Sequence, residues 1–174
     1  MGHGTLAADD LLRLLESSAV TSLVDIRTAP GSRRLPHMRR LEMETWVPAS
    51  GIDYRWEPAL GGFRKPRADS PNRALRNDSF RGYADYMQTD QFWEALDRLV
   101  VELRDRSTAV MCSEAVWWRC HRRLVADAVL LSRNVQVEHL MQDGRRVPHS
   151  VTEGARLTDG GRVVYDAGEA ALFG

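Results

Sequence analysis

The segment TAVMCSEAVWWRCHRRLVADAVLL, residues 108–131, indicates the fold class of the chain. Its first part, Thr108 to Cys112, is short and apolar and predicts a buried strand. Its last part, Arg119 to Leu131, carries apolar residues at helical spacing and predicts a helix. Because a strand that leads into a helix is the repeating unit of α/β domains, this stretch predicts that class of fold.

The rest of the chain continues the alternation of strands and helices. Val20 to Ile26 predicts a first buried strand, Ile52 to Trp56 a second one, and Val135 to Leu140 a fourth. Apolar residues recur at helical spacing after Thr89, where the helix should pack on a sheet. We therefore expect one compact α/β domain over residues 1–174, with a mainly parallel sheet, right-handed crossovers and helices on both faces.

Two segments interrupt the alternation. Residues 61–79 are rich in Gly, Pro, Arg, Asp, Ser and Asn, which predicts a long surface loop, and such loops are usually functional or disordered. Residues 143–174 are richer in Gly and polar residues, with one more strand expected at Arg162 to Tyr165. We interpret them as a C-terminal extension of the same domain.

Composition excludes several classes of protein. With 43% hydrophobic and 28% charged residues, the 174-residue chain is not collagen-like, a coiled coil or disordered. The 24 basic and 24 acidic residues balance, so nucleic acid or a membrane would have to be held by a local patch. Two cysteines without a leader segment predict a cytoplasmic protein, and no apolar run approaches the roughly 20 residues that cross a bilayer.

Reactive side chains follow the ends of the first and third predicted strands. Ligands of open α/β sheets bind at the carboxyl ends of strands, so we expect these two ends to be neighbours and to line one cavity. Asp25, Arg27, Ser32, Arg33 and Arg34 follow the first strand, and Cys112, Ser113, Glu114, Cys120, His121, Arg122 and Arg123 follow the third.

Cys112 is the strongest candidate for chemistry. A cysteine at a strand end that faces a helix N-terminus and arginines has a lowered pKa, and its thiolate is a nucleophile. Glu114 and His121 could act as general acid or base. The structural alternatives are a small buried Cys112, a Glu114 that stabilises the helix N-terminus, and a partly buried His121.

Other cysteine chemistries fit the spacing poorly. Cysteine phosphatases need an arginine six positions after the cysteine, where this chain has Trp118, and Cys112 and Cys120 are too far apart for a Cys-x-x-Cys motif. Cys112, Cys120 and His121, with Glu114 or His139, match no common zinc module, and neighbours on a helix project in different directions. We therefore expect no metal and no cofactor.

The arginines allow two interpretations. Arg27 and Arg33, with Ser32 between them, could present guanidinium groups and backbone amides to an anion. Alternatively, Arg27 forms a structural ion pair with Asp25 or Glu114. The sequence does not separate the two.

Several motifs occur together in one order along the chain. The motifs are Asp25-Ile26-Arg27 with Pro30, Ser32 and Arg33; Gly51-Ile52-Asp53-Tyr54 followed by Leu60-Gly61-Gly62; Phe80 with Gly82-Tyr83-Ala84 and Tyr86-Met87; and Cys112-x-Glu114 leading to Cys120-His121-Arg122. In this order they resemble domain-of-unknown-function family 488, over about Val20 to His149. The resemblance implies a compact α/β domain, but the family name records no reaction.

The resemblance also implies a shared pocket. The positions that match the family's motifs are Asp25, Arg27, Ser32, Arg33, Tyr54, Tyr83, Cys112, Glu114, Cys120, His121 and Arg122. Our hypothesis is a small cytoplasmic enzyme that acts on an anionic or nucleotide-like substrate, held by Arg27, Arg33 and Arg122. Cys112 would be the nucleophile, Glu114 or His121 would move the proton, and Gly61, Gly62 and Tyr83 would close the site.

A non-catalytic alternative uses the same residues. In a nucleic-acid or nucleotide-binding module, for example one associated with DNA repair, the arginines would bind phosphate and Trp117, Trp118 or Tyr83 would stack on bases. A third possibility is an interaction domain whose polar cluster only holds its loops together.

Overall fold

A parallel three-stranded sheet forms the centre of the computed structural model, which describes residues 1–168. Its strands are β1 (Ser22–Asp25), β2 (Asp53–Trp56) and β3 (Thr108–Met111), in the order β2-β1-β3. Strand β1 pairs in parallel with both neighbours, and all four of its residues are buried. The central parallel sheet of the predicted α/β fold is confirmed.

Helices cover both faces of the sheet, as predicted. Because side chains alternate along a strand, Leu23 and Val24 of β1 point into two different cores. The helices are α1 (Ala8–Ser17), α2 (Arg40–Ala49), α3 (Asp78–Tyr86), α4 (Asp90–Asp105) and α5 (Arg122–Arg133). Leu23 packs with helices α1 and α2, whereas Val24 packs with α3, α4 and α5.

The strand predicted at 135–140 does not join the central sheet. It is shorter, β4 (Glu138–Leu140), and pairs antiparallel with β5 (Arg146–Pro148). The physical reason is the tight turn between them, where Gly144 has a φ of +84°, since a short connection of this kind joins antiparallel strands only.

The C-terminal extension supplies a second antiparallel hairpin. β6 (Ala155–Leu157) pairs with β7 (Val163–Tyr165), which corresponds to the strand expected at 162–165. The last part of the extension, residues 169–174, lies outside the described residues.

A buried polar network ties both hairpins to α5. The Asp127 carboxylate lies against His149 Nε2 at 2.9 Å and accepts from Tyr165 Oη at 2.9 Å. His149 Nδ1 in turn lies 2.9 Å from His139 Nε2, and the Trp117 ring stacks on His139 at 4.0 Å. Burial lowers the pKa of His139 to about 3. Because its ring stacks on the buried His139, Trp117 is a packing residue.

Residues 61–77 contain no helix or strand, in agreement with the predicted loop, but they are firmly anchored. The Asp85 carboxylate of α3 accepts from Arg67 N at 2.8 Å, Ser70 Oγ at 2.6 Å and Asn72 Nδ2 at 2.8 Å. Asn72 is fully buried. The loop thus runs along the surface but is anchored to the interior by the buried residues Ser70, Asn72 and Leu75.

Within residues 1–168, no helix is both long and apolar enough to span a bilayer.

Candidate active site

The carboxyl ends of β1 and β3 are neighbours, as predicted. Asp25 is the register partner of Met111, so the residues that follow both strands emerge at the same edge of the sheet. A cavity of about 1040 Å³ opens there, and both Arg27 and Cys112 contribute to its wall. The sheet topology therefore brings the two reactive ends into one cavity.

Two thiols and one imidazole meet at this cavity. His121 Nδ1 lies 4.0 Å from Cys112 Sγ and 3.7 Å from Cys120 Sγ, and all three atoms lie within 4.8 Å of one another. Cys112 follows β3 directly, and His121 is the N-cap residue of α5. Both cysteines are free and nearly buried, with exposed fractions of 7% for Cys112 and 3% for Cys120.

The two thiols differ in acidity because they are coupled to each other. The neighbouring Cys120 thiol, whose sulfur lies within 4.8 Å, and His121 hold the pKa of Cys112 well below its ordinary value, although burial opposes this. The neighbouring Cys112 and burial raise the pKa of Cys120 well above its ordinary value. These opposite shifts favour the thiolate form of Cys112 and the protonated form of Cys120.

His121 is held in place by packing. The Tyr83 ring lies 4.9 Å from the imidazole ring, and the Tyr83 hydroxyl donates to Leu60 O at 2.7 Å. His121 Nε2 is buried and has no hydrogen-bond partner within residues 1–168. No second bond fixes the ring's protonation, so Nδ1 can donate to a thiolate or accept a proton from a thiol.

Gly62 is required by the close approach of its loop to His121. A Cβ atom at Gly62 would lie 2.8 Å from His121 Nδ1. The loop is fixed there by Thr28, whose hydroxyl donates to Gly62 O at 2.9 Å. A side chain at this position would push the imidazole away from the sulfur atoms.

Replacing Gly62 by alanine should raise the pH at which the alkylation of Cys112 reaches half its maximal rate by about one unit, because a displaced imidazole no longer supports the thiolate. The rate of iodoacetamide labelling as a function of pH, read by mass spectrometry, measures the effect. Gly31→Ala is the matched control, since Gly31 lines the same cavity and a Cβ there meets nothing within 4 Å. Equal pH profiles in the two variants would contradict the positioning role of Gly62.

Arg27 and Asp25 form a buried ion pair, the structural alternative to anion binding by Arg27. Arg27 Nε lies 2.9 Å from Asp25 Oδ1, and Arg27 Nη2 lies 2.5 Å from Asp25 Oδ2. Arg27 Nη1 donates to Met38 O at 2.8 Å, and Tyr54 Oη donates to Asp25 Oδ2 at 2.7 Å. Asp25 is fully buried and Arg27 is 6% exposed. Because its guanidinium is taken up by these bonds, Arg27 stabilises the wall of the cavity.

Arg122 holds the loop after Cys112. Its guanidinium donates to the backbone oxygens of Glu114 and Ala115, the latter at 2.9 Å. It lines a second cavity, of about 240 Å³, together with Val125 and His139. Arg122 thus holds the loop that follows Cys112, from the side of the second cavity.

Glu114 and Ser32 stand in the cavity wall with local partners. The exposed Glu114 carboxylate accepts from Val116 N at 2.9 Å, and Ser32 Oγ accepts from Leu35 N at 2.9 Å. Of the predicted site residues, the wall contains Arg27, Ser32, Gly62, Tyr83, Cys112, Glu114, Cys120 and His121. Asp25, Arg33, Tyr54, Gly61 and Arg122 lie outside the wall.

The sequence interpretation missed the N-terminal residues beside Cys112. His3 N donates to Cys112 O at 3.0 Å, Cys112 N donates to Met1 O at 3.2 Å, and His3 lines the cavity. Burial lowers the pKa of His3 to about 4, so its imidazole is neutral at pH 7. A segment of four residues is too short to show a periodic pattern. Thr28 and Phe63 are further wall residues that no motif indicated, and Phe80, which belongs to the Phe80 to Ala84 motif, and Arg119 also line the wall.

The thiols and imidazole also form a partial set of metal ligands. Thiolate and imidazole groups bind zinc, and tetrahedral sites have four ligands. Within residues 1–168 the cluster holds three, since His139 is bonded to His149 and Glu114 to Val116. The argument that Cys120 and His121 project apart is wrong, because Cys120 has extended backbone (φ −115°, ψ 145°) before α5 begins.

Comparison with known proteins gives one finding. A family model described as Domain of unknown function DUF488 matches residues 7–129. The matched range includes the central sheet and all members of the cysteine and histidine cluster. No curated protein and no solved structure matches the chain.

Proposed function

The chain belongs to the DUF488 family, and from this premise we propose that it is an enzyme in which the Cys112 thiolate attacks a small anionic or nucleotide-like substrate. The observation that supports this is the position of Cys112 Sγ, in the wall of a 1040 Å³ cavity and within 4.0 Å of His121 Nδ1. Because the thiolate must stay reduced, we place this chemistry in the cytoplasm.

The proposed roles follow from the contacts at the cavity. The Cys112 sulfur forms the new bond to the electrophilic atom, and the electron pair of the broken bond departs with the leaving group. His121 or Glu114 supplies the proton that the leaving group takes. The neighbouring Cys120 thiol keeps the thiolate stable, and Gly62 and Tyr83 shield the imidazole from water.

Two exposed arginines at the cavity, whose guanidinium groups form no hydrogen bond or ion pair within residues 1–168, remain for the anionic part of the substrate. Arg119 lies in the cavity wall and is exposed, and Arg33 is exposed next to the wall residue Ser32. Arg27 is bonded to the Asp25 carboxylate and Met38 O, and Arg122 Nη1 and Nη2 donate to the backbone oxygens of Glu114 and Ala115. We therefore assign anion binding to Arg119 and Arg33, with Arg27 and Arg122 as their structural support.

Alkylation of the native protein tests the proposed function. At pH 7, iodoacetamide should modify Cys112 at least about tenfold faster than Cys120, because reactivity follows the fraction of thiolate. Peptide mapping by mass spectrometry identifies the modified cysteine, and Cys112→Ser is the control that should remove the fast reaction. Modification of Cys112 only after denaturation would show that it is a buried structural residue.

A second candidate function, recognition of nucleotides or nucleic acid, is favoured by two exposed aromatic residues in the same wall. Phe63 is 94% exposed and Trp118 is 49% exposed. Exposed aromatic rings beside an arginine, here Arg119, are the groups on which bases stack.

If bases stack on these rings, Trp118→Ala should weaken the binding of a single-stranded oligonucleotide by about 1 to 3 kcal/mol, and the affinity should fall steeply with salt. Fluorescence anisotropy at two salt concentrations measures both effects. Leu41→Ala is the control, because Leu41 is 68% exposed but lies outside the cavity wall. Binding that is equal in both variants, or absent, would exclude the nucleic-acid candidate.

A further inference from the structure

The second thiol of the site has a geometry that its effect on the acidity of Cys112 does not require. Cys112 Sγ and Cys120 Sγ lie within 4.8 Å of each other, and both cysteines are free. A serine would also place a donor beside Cys112. A thiol in this position can also form a covalent bond to its neighbour.

We propose that Cys112 and Cys120 are a redox pair that reduces hydroperoxides, with Cys112 as the attacking thiol and Cys120 as the resolving thiol. The proposal rests on the Cys112 thiolate of the proposed function, and it adds an oxidant class and a reaction for Cys120. The cavity above Cys112 admits an oxidant as small as a hydroperoxide to the sulfur atoms.

A disulfide requires the two sulfur atoms to move closer together. A disulfide needs a sulfur to sulfur distance of about 2.05 Å and Cβ atoms about 3.8 Å apart. Cys120 has extended backbone and lies before the first turn of α5, so the helix does not fix its side chain. Between the two cysteines the chain forms one short 3₁₀ turn, Trp117–Arg119, and no longer helix or strand.

The first step oxidises Cys112. Its thiolate sulfur attacks one oxygen of the hydroperoxide, the oxygen to oxygen bond breaks, and the alkoxide leaves and takes a proton from water in the cavity. Cys112 becomes a sulfenic acid, and the peroxide has accepted two electrons.

The second step joins the two cysteines. Cys120 passes its proton to His121 Nδ1, which lies 3.7 Å from its sulfur, and then attacks the Cys112 sulfur. The sulfur to oxygen bond breaks, and the hydroxide leaves as water after taking the proton back. Two equivalents of a low-molecular-weight thiol return the disulfide to two thiols by exchange and are themselves joined in a disulfide.

Hydrogen peroxide with the reduced, chelator-treated full chain tests the proposal. We expect the wild-type protein to lose both free thiols for each equivalent of peroxide, with a Cys112 to Cys120 disulfide in non-reducing peptide maps. Cys120→Ser should give a sulfenic acid on Cys112 that dimedone traps. Cys112→Ser should react about a hundredfold more slowly.

Three results would overturn the proposal. In the first, wild-type Cys112 accumulates as sulfenic or sulfinic acid while Cys120 stays free. In the second, the disulfide joins two chains. In the third, the protein as isolated holds one zinc ion per chain and its thiols react only after chelation, which would make the cluster a metal site. Fast alkylation of Cys112 in the first two cases would leave the proposed function intact, and slow alkylation of the metal-free protein would refute that function.

Discussion

Replacing Asp25 by asparagine should lower the free energy of unfolding by about 3 to 5 kcal/mol, the usual effect of removing one partner from a buried ion pair. Asp25 is fully buried and accepts hydrogen bonds from Arg27 and from the Tyr54 hydroxyl. Without the carboxylate, Arg27 would remain as a buried charge with no counterion. Urea denaturation measures the difference.

Asp69→Asn is the matched control for this substitution. Asp69 also pairs with an arginine, Arg67, at 2.7 Å, but both side chains are more than half exposed. Exposed pairs contribute about 0 to 1 kcal/mol, so this variant should be almost as stable as the wild type. Similar stability of the Asp25 and Asp69 variants would contradict the bracing role of the Asp25 and Arg27 pair.

Replacing Cys120 by alanine should slow the alkylation of Cys112 at about pH 6 by roughly tenfold to a hundredfold. The Cys120 thiol is the main cause of the lowered pKa of Cys112, and without this donor the thiolate fraction at that pH falls. The higher intrinsic nucleophilicity of a more basic thiolate offsets part of the loss. Quenching the alkylation at successive times and analysing the products by mass spectrometry gives the rate.

Cys120→Ser separates the loss of a donor from other effects of the change. Serine keeps a donor at this position, so its alkylation rate should be close to that of the wild type. Unfolding curves of both variants check that the fold is retained. If the alanine and serine variants react equally fast, Cys120 does not control the acidity of Cys112.

Two strands of the central sheet, β1 and β3, can be predicted because they contain apolar runs, Leu23-Val24 and Ala109-Val110-Met111. Strands such as β1, buried on both faces, can be identified without knowledge of their partners. The sequence predicts a strand at 135–140 and one is present there, but it pairs with β5 and not with the central sheet. A local sequence pattern carries no information about which strand lies next to it. The turn at Gly144 was the one sequence signal for a hairpin.

The site is predictable in its position but not in its geometry. Residues after two neighbouring parallel strands must emerge at one edge, and this placed Arg27 and Cys112 together. Whether Arg27 faces a ligand or a carboxylate depends on side-chain directions that sequence does not contain. The contact of Cys120 with His121 depends on the residue at which α5 begins, and helix boundaries are the least certain part of any prediction.

The pH profile of Cys112 alkylation in the native wild-type protein tests whether Cys112 is a thiolate at neutral pH. A thiol whose pKa is held well below its ordinary value is a thiolate throughout the neutral range, so the rate should be nearly constant between about pH 5 and 8. A free cysteine with a pKa of about 8.5 would instead react about tenfold faster for each pH unit over most of that range. A flat profile that disappears in Cys112→Ser supports the thiolate, whereas a tenfold rise per pH unit would contradict it.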